Sequence, residues 1–177
     1  MKVLFVCTGN ICRSPVAERM LQNLGDARGL QLQVSSAGTR ALNGMEMHPE
    51  SARVLRARGI DPANFRSSML TADAAEQADL ILGMTREHRA FARQLAPARW
   101  KRMYALREIA SVANPAMGDA TNHRNDARIG PTDARLDIED PIGKPSETFD
   151  KVGDAIAQSM EGVLAWLANG KISTSKT

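Results

Sequence analysis

Residues 2–20 read KVLFVCTGNICRSPVAERM. Val3, Leu4, Phe5 and Val6 form a short apolar run, the signature of a strand buried on both faces. The run ends at Cys7, and a polar loop, Thr8 to Cys12, leads to Arg13. From Ser14 to Gly29 the pattern turns helical. Ser14 is placed to cap the helix, Pro15 suits its first turn, and Val16, Met20, Leu21 and Leu24 share one face. A buried strand feeding a helix through a tight loop is the opening unit of a parallel α/β fold.

The rest of the chain repeats that alternation. Strands are predicted over 30–38, 78–84 and 101–106, and helices over 49–59, 85–97 and 146–170. Pro49 opens the second helix and Gly59 closes it; Thr85 caps the third; Phe149, Val152, Ile156, Met160, Val163, Leu164 and Leu167 stripe the last. The fold class is therefore α/β: one doubly wound domain, a four-stranded parallel sheet with helices on both faces, over residues 1–170. Residues 111–139 break the pattern as a long polar loop of the kind that covers a site or is disordered. Residues 171–177 read as a flexible tail.

Composition narrows the function. With 177 residues and 43% hydrophobic side chains, the chain can bury one sizeable core. Lys and Arg exceed Asp and Glu by 23 to 20, and only 4% of residues are aromatic; neither supports a nucleic-acid partner. No apolar run approaches the length of a membrane span, and the N-terminus lacks a secretory apolar region, so a cytoplasmic location is expected, with no membrane partner. Cys7 and Cys12 lie too close in sequence for a useful structural staple, so in a reducing compartment they read as thiols with chemistry. No metal site and no cofactor is expected, because no C-x-x-C pair or nearby His supplies further ligands. His48, His88 and His123 are far apart in sequence and read as surface or hydrogen-bonded structural residues.

The chemistry concentrates in the opening loop. In a parallel sheet, ligands bind at the carboxyl ends of strands, where Cys7 sits. The backbone N–H groups from Thr8 to Ser14 can curl into an anion cradle, with positive potential from the helix N-terminus. Gly9 and Asn10 tolerate the positive φ that such a curl requires. Arg13 adds a planar, permanently charged fork for two oxygens of a phosphate. The same surroundings would stabilise a thiolate at Cys7, a nucleophile at the bottom of a phosphate-shaped cup. The plainer alternative is a pair of buried cysteines beside a helix cap. A leaving oxygen also needs a proton. Asp140, stiffened by Pro141, could supply it from a loop at the cup's mouth, or Asp137, Glu139 and Asp140 could form a solvated acidic turn.

VLFVCTGNICRSPVAE (3–18) resembles the low-molecular-weight protein tyrosine phosphatases of bacterial type. The likeness extends to SSAGT (35–39), ADLILGM (78–84) and EDP (139–141). The resemblance implies a protein-tyrosine-phosphatase that passes through a phosphocysteine on Cys7, with Arg13 holding the phosphoryl oxygens and Asp140 as general acid. It implies substrate contacts from Thr8, Gly9, Asn10, Ile11, Cys12, Arg13 and Ser14, with Ser14 bonded to the thiolate and Asn10 fixing the loop. It also implies that Cys12 is a redox partner for the nucleophile. The substrate would be a phosphorylated protein or a small phosphate monoester, and the enzyme a monomer or weak dimer.

Two departures mark this chain. Ile142 and Gly143 follow the Asp-Pro pair where the family usually carries aromatic rings, and Leu42 takes another aromatic position. Ile11 sides with the tyrosine branch, since the phosphoarginine branch carries Thr there. The alternatives are a phosphoarginine phosphatase, an arsenate reductase using an external thiol, and a phospho-ligand sensor with little turnover. The absence of any cysteine after Cys12 excludes an internal cysteine relay.

Overall fold

The computed structural model describes residues 1–113 and 133–170. Four strands form one sheet: β1 (Lys2–Cys7), β2 (Gln33–Gly38), β3 (Leu80–Gly83) and β4 (Met103–Ala105). All pairings are parallel, in the order β2-β1-β3-β4. The helices are α1 (Arg13–Ala27), α2 (Pro49–Arg56), α3 (Ala72–Gln77), α4 (Arg86–Leu95), α5 (Leu106–Ala113) and α6 (Ser146–Gly170). The doubly wound α/β class read from the sequence is the observed one.

The apolar run of β1 serves two cores at once. Val3, Phe5 and Cys7 face a core shared with Val16, Met20 and Leu21 of α1, Leu106 and Ile109 of α5, and Ile156, Met160 and Val163 of α6. Leu4 and Val6 face the opposite layer, against Ala75 of α3, Ala92 of α4 and Met103. Strand side chains alternate between faces, so a strand covered on both sides must be apolar throughout.

The chain runs from β1 to β2 on one side and later to β3 on the other. The carboxyl ends of β1 and β3 therefore flank the point where the winding reverses, the place where such sheets open a crevice. Residues 8–12 occupy it.

Three local expectations are corrected. First, α1 begins at Arg13 with Cys12 as its N-cap, and no side chain caps it; Ser14 lies one residue inside and turns its hydroxyl elsewhere. Second, α3 and α5 lay outside the sequence reading. α3 has six residues and one buried side chain, Ala75, too little for a periodic signal; α5 follows β4 without an intervening loop. Third, the ends of the expected 111–139 loop are structured. Residues 111–113 finish α5, and a 3₁₀ turn at Ala134–Leu136 is followed by Ile138, with Leu136 and Ile138 both buried. Residues 114–132, with His123, and the expected tail 171–177 lie outside the described residues. Among the described residues no helix is long and apolar enough to cross a membrane.

Candidate active site

Cys7 closes β1 and its side chain is buried. Two donors converge on its sulfur: the main-chain N–H of Asn10 at 3.2 Å and the hydroxyl of Ser14 at 3.0 Å. The first donor requires the loop to double back. Asn10 does this with φ +53°, a conformation that Asn tolerates better than most residues. The second donor is oriented by Asn10 as well. Asn10 Nδ2 donates to Ser14 Oγ at 2.9 Å, which leaves the Ser14 proton free to point at Cys7.

Asn10 is fully buried and its amide is satisfied on both ends. Nδ2 also donates to Ser36 Oγ at 2.8 Å, and Oδ1 accepts from the main-chain N–H of Ser68 at 2.7 Å. Ser36 Oγ donates in turn to Glu18 Oε2 at 2.6 Å. Burial raises the Glu18 carboxyl above its ordinary pKa, against the Ser36 hydrogen bond that lowers it. The SSAGT stretch thus holds the loop from behind. Gly38 lies so close that a Cβ there would meet the Thr8 carbonyl oxygen at 2.5 Å and the Asn10 nitrogen at 2.9 Å.

Arg13 opens α1 and is 4% exposed. Its Nη1 donates to the Ile138 carbonyl at 3.1 Å, and its Nη2 to Asp140 Oδ2 at 2.6 Å. Among the described residues its Nε is buried without a hydrogen-bond partner. Ile138 is anchored in turn by its own N–H, which donates to the Met84 carbonyl just past β3 at 2.8 Å. That anchor sets Asp140, about half exposed, beside Arg13.

The neighbouring acids expected as competitors are engaged elsewhere. Asp137 grips Arg86 at the start of α4, at 2.9 Å from Nη2 and 2.8 Å from the main-chain N–H. Glu139 pairs with Lys144. The solvated-turn alternative thus fits Glu139, while Asp140 faces the cup.

Cys12 is buried among Val54, Phe149 and Ile11. Burial pushes its thiol up to about 12, with a hydrogen bond to Ser51 opposing and the nearby Cys7 adding to the rise. Thr8, Gly9 and Ile11 are half-buried on the loop. Leu42 and Ile142 are 73% and 49% exposed, so both non-aromatic positions face solvent. Arg66 is exposed and pairs with Glu46 at 3.4 Å.

One contact was missed by the sequence reading. His88 is buried, and its Nε2 lies 2.9 Å from Thr8 Oγ1. Only its place in the first turn of α4, the helix after β3, could have pointed there. A surface cavity opens at the amino ends of the strands, beside Met1, Leu30 and Asp79, and shares no residue with the cup. Among the described residues no cluster of three His, Cys, Asp or Glu side chains could hold a metal ion.

An arrangement with a sulfur at the base, a guanidinium at the wall and a carboxylate at the mouth can bind a tetrahedral oxyanion and attack its central atom. Comparison with known proteins points the same way. Residues 2–124 match the family model described as low molecular weight phosphotyrosine protein phosphatase. The low molecular weight protein-tyrosine phosphatase A of Mycobacterium tuberculosis is 34% identical over 170 residues, covering 94% of this chain and 91% of that protein. The protein-arginine-phosphatase of Bacillus subtilis is 40% identical over 89 residues, half of this chain and 59% of that protein. A solved structure of the YwlE arginine phosphatase, a cysteine-to-serine variant with a phosphorylated active-site serine, superposes with a TM-score of 0.75 at 25% identity, covering 99% of this chain and 98% of that one.

Proposed function

The chain belongs to the low molecular weight phosphotyrosine protein phosphatase family, and from that premise we propose that it hydrolyses phosphate monoesters on proteins, most readily phosphotyrosine, through a phosphocysteine on Cys7. The observation that carries this reading is the pair of hydrogen bonds converging on Cys7 Sγ. They fix the sulfur as the acceptor of two donors, the arrangement that a cysteine nucleophile calls for.

In the first step the Cys7 sulfur attacks phosphorus. The S–P bond forms as the P–O bond to the leaving group breaks, and Asp140 gives the leaving oxygen its proton. Arg13 and the loop amides from Thr8 to Ser14, apart from the Asn10 N–H that donates to the sulfur, hold the three equatorial oxygens. In the second step Asp140 takes a proton from water, the water oxygen attacks phosphorus, and the S–P bond breaks to release inorganic phosphate. Ser14 donates to the sulfur when it leaves as thiolate. The cup itself calls on no metal or cofactor for either step.

Ile11 favours the phosphotyrosine reading, because a branched apolar side chain stands where the phosphoarginine branch carries Thr. Two thiols without a disulfide suit a reducing cytoplasm, and the enzyme acts there as a monomer or weak dimer.

The test is turnover of an aryl phosphate together with acid-quench mass spectrometry. The native chain should show a phosphorylated Cys7 peptide, and Cys7→Ser should lose hydrolysis while unfolding at the same denaturant concentration. Retention of a tenth of the activity by Cys7→Ser would reassign the nucleophile. A panel of phosphotyrosine peptide, phosphoarginine peptide and arsenate with an external thiol then fixes the substrate class.

A further inference from the structure

His88 stands outside the proposed chemistry, yet it joins the cup to the start of α4. Its Nδ1 lies 2.8 Å from Thr85 Oγ1, and its Nε2 lies 2.9 Å from Thr8 Oγ1 across 80 positions of sequence. Thr85 Oγ1 also accepts the main-chain N–H of His88 at 3.3 Å, as the N-cap of α4. Thr8 Oγ1 also accepts from Arg13 Nη2 at 3.4 Å, and that same nitrogen reaches Asp140. A continuous chain of polar groups thus runs from the α4 cap to the mouth of the cup.

The imidazole is held close to that chain by the backbone beneath it. A Cβ on Gly83 would come within 3.0 Å of His88 Cβ and 2.8 Å of the Arg89 nitrogen. His88 is 5% exposed. Burial, with the positive field of Arg13, lowers its pKa to about 4, against smaller opposing effects of Asp140 and Asp137. At neutral pH it is therefore uncharged, with one nitrogen donating and the other accepting.

Two proton arrangements satisfy the chain. In one, the Thr85 hydroxyl donates to Nδ1 and Nε2–H donates to Thr8 Oγ1. Thr8 then accepts from both His88 and Arg13, and its own O–H is left to donate elsewhere. In the other, the Thr8 hydroxyl donates to Nε2, Nδ1–H donates to Thr85, and the spare proton lies at Thr85. The two differ by one hydrogen per bond and by no net charge. A bound dianion selects the first, because only then can Thr8 make a charge-assisted O–H···O⁻ bond to it.

We propose that His88 is a positioning residue for the phosphoryl group, setting the Thr8 hydroxyl as a donor to an oxygen of the anion in the cup. The inference rests on the phosphate-cup reading of the Cys7 loop, and the experiment separates the two. Competitive inhibition by inorganic phosphate is measured during aryl phosphate turnover, alongside the shift in melting temperature that phosphate produces.

The variants are Thr8→Val, His88→Leu, their combination, and His88→Gln, whose amide nitrogen can replace Nε2 as donor. Thr8→Val and His88→Leu should each weaken phosphate inhibition roughly three- to tenfold. The double variant should be no weaker than Thr8→Val alone, since His88 acts only through that hydroxyl. His88→Gln should stay within about twofold of the native chain. A purely structural His88 would give losses that multiply in the double variant, and that result overturns the proposal. So does Thr8→Val with unchanged inhibition. If His88→Leu fails to fold by circular dichroism, His88→Gln is compared in the native and Thr8→Val backgrounds. A loss with Gln that is equal in both then rejects the coupling. A native chain that phosphate neither inhibits nor stabilises would sink the cup reading first, and this proposal with it.

Discussion

Arg13 Nη2 lies 2.6 Å from Asp140 Oδ2, a contact between residues 127 positions apart. It ties the wall of the cup to its mouth. On the proposed function an incoming phosphoryl group takes the same guanidinium, so the Asp140 carboxylate and the anion would compete for Arg13.

That competition gives Asp140→Asn two effects of opposite sign. Loss of the proton donor should slow turnover of substrates with poor leaving groups by roughly 10²–10⁴-fold, and of activated aryl phosphates much less. Loss of the carboxylate should release Arg13 and tighten inhibition by inorganic phosphate about two- to fivefold, the worth of a partly exposed ion pair. Leaving-group dependence and phosphate inhibition measured on one preparation decide the matter. Equal losses for all substrates would move the acid away from Asp140.

Cys12 is predicted to shield the nucleophile from peroxide. Peroxide would convert the Cys7 thiolate to a sulfenic acid; condensation with the Cys12 thiol would form a disulfide and release water, blocking further oxidation. The attacking group is the thiolate. Because burial pushes the Cys12 thiol up to about 12, its thiolate is a small minority at neutral pH. Disulfide formation should therefore quicken as pH rises from 6 to 9. After peroxide and then dithiothreitol, the native chain should recover most of its activity and Cys12→Ser less than half. Equal recovery in both would leave Cys12 as a packing residue.

Gly38→Ala is expected to damage the cup from behind. The new methyl would meet main-chain atoms of Thr8 and Asn10, which cannot step aside as a flexible side chain can. The expected result is a loss of roughly 1–3 kcal/mol in denaturant unfolding and at least a tenfold fall in kcat/KM. Native-like activity would show that the loop yields without consequence.

His88 also makes stability depend on pH. Its pKa lies near 4 in the fold and near 6.5 when unfolded, so the unfolded chain binds the extra proton first as pH falls. Its contribution is whole above about pH 6.5, declines between there and pH 4, and is gone below. The full effect is on the order of 3 kcal/mol. Unfolding free energies at pH 7 and pH 5 should converge in His88→Gln by comparison with the native chain. A native chain whose pH dependence matches that of His88→Gln would show that the imidazole titrates normally.

Much of this molecule is written locally. Val3 to Val6 had to be a doubly covered strand, because an unbroken apolar run cannot face water on alternate residues. The stripe from Phe149 to Leu167 could only be a long helix with one buried face. Short elements left less trace: α3 has too few residues for a period, and α5 directly follows a three-residue strand. Ser14 followed the cap preference in type but not in role: it lies inside α1, its oxygen accepts from Asn10 Nδ2 and its hydroxyl donates to the Cys7 sulfur.

By itself the sequence determined the alternating α/β order and the Cys7-to-Arg13 loop, because both depend on neighbours within one turn or one strand. Only the tertiary structure decided which acid meets Arg13 and what meets Thr8. Asp137, Glu139 and Asp140 lie within four positions of one another, and locally only Pro141 sets Asp140 apart. Pairing β1 beside β3 lets Met84 anchor Ile138, and that anchor sends Asp137 to Arg86 and Asp140 to Arg13. The same pairing carries the α4 cap to the cup and sets His88 against Thr8. Contacts across 80 and 127 positions follow from the order of strands in the sheet, which no local spacing encodes.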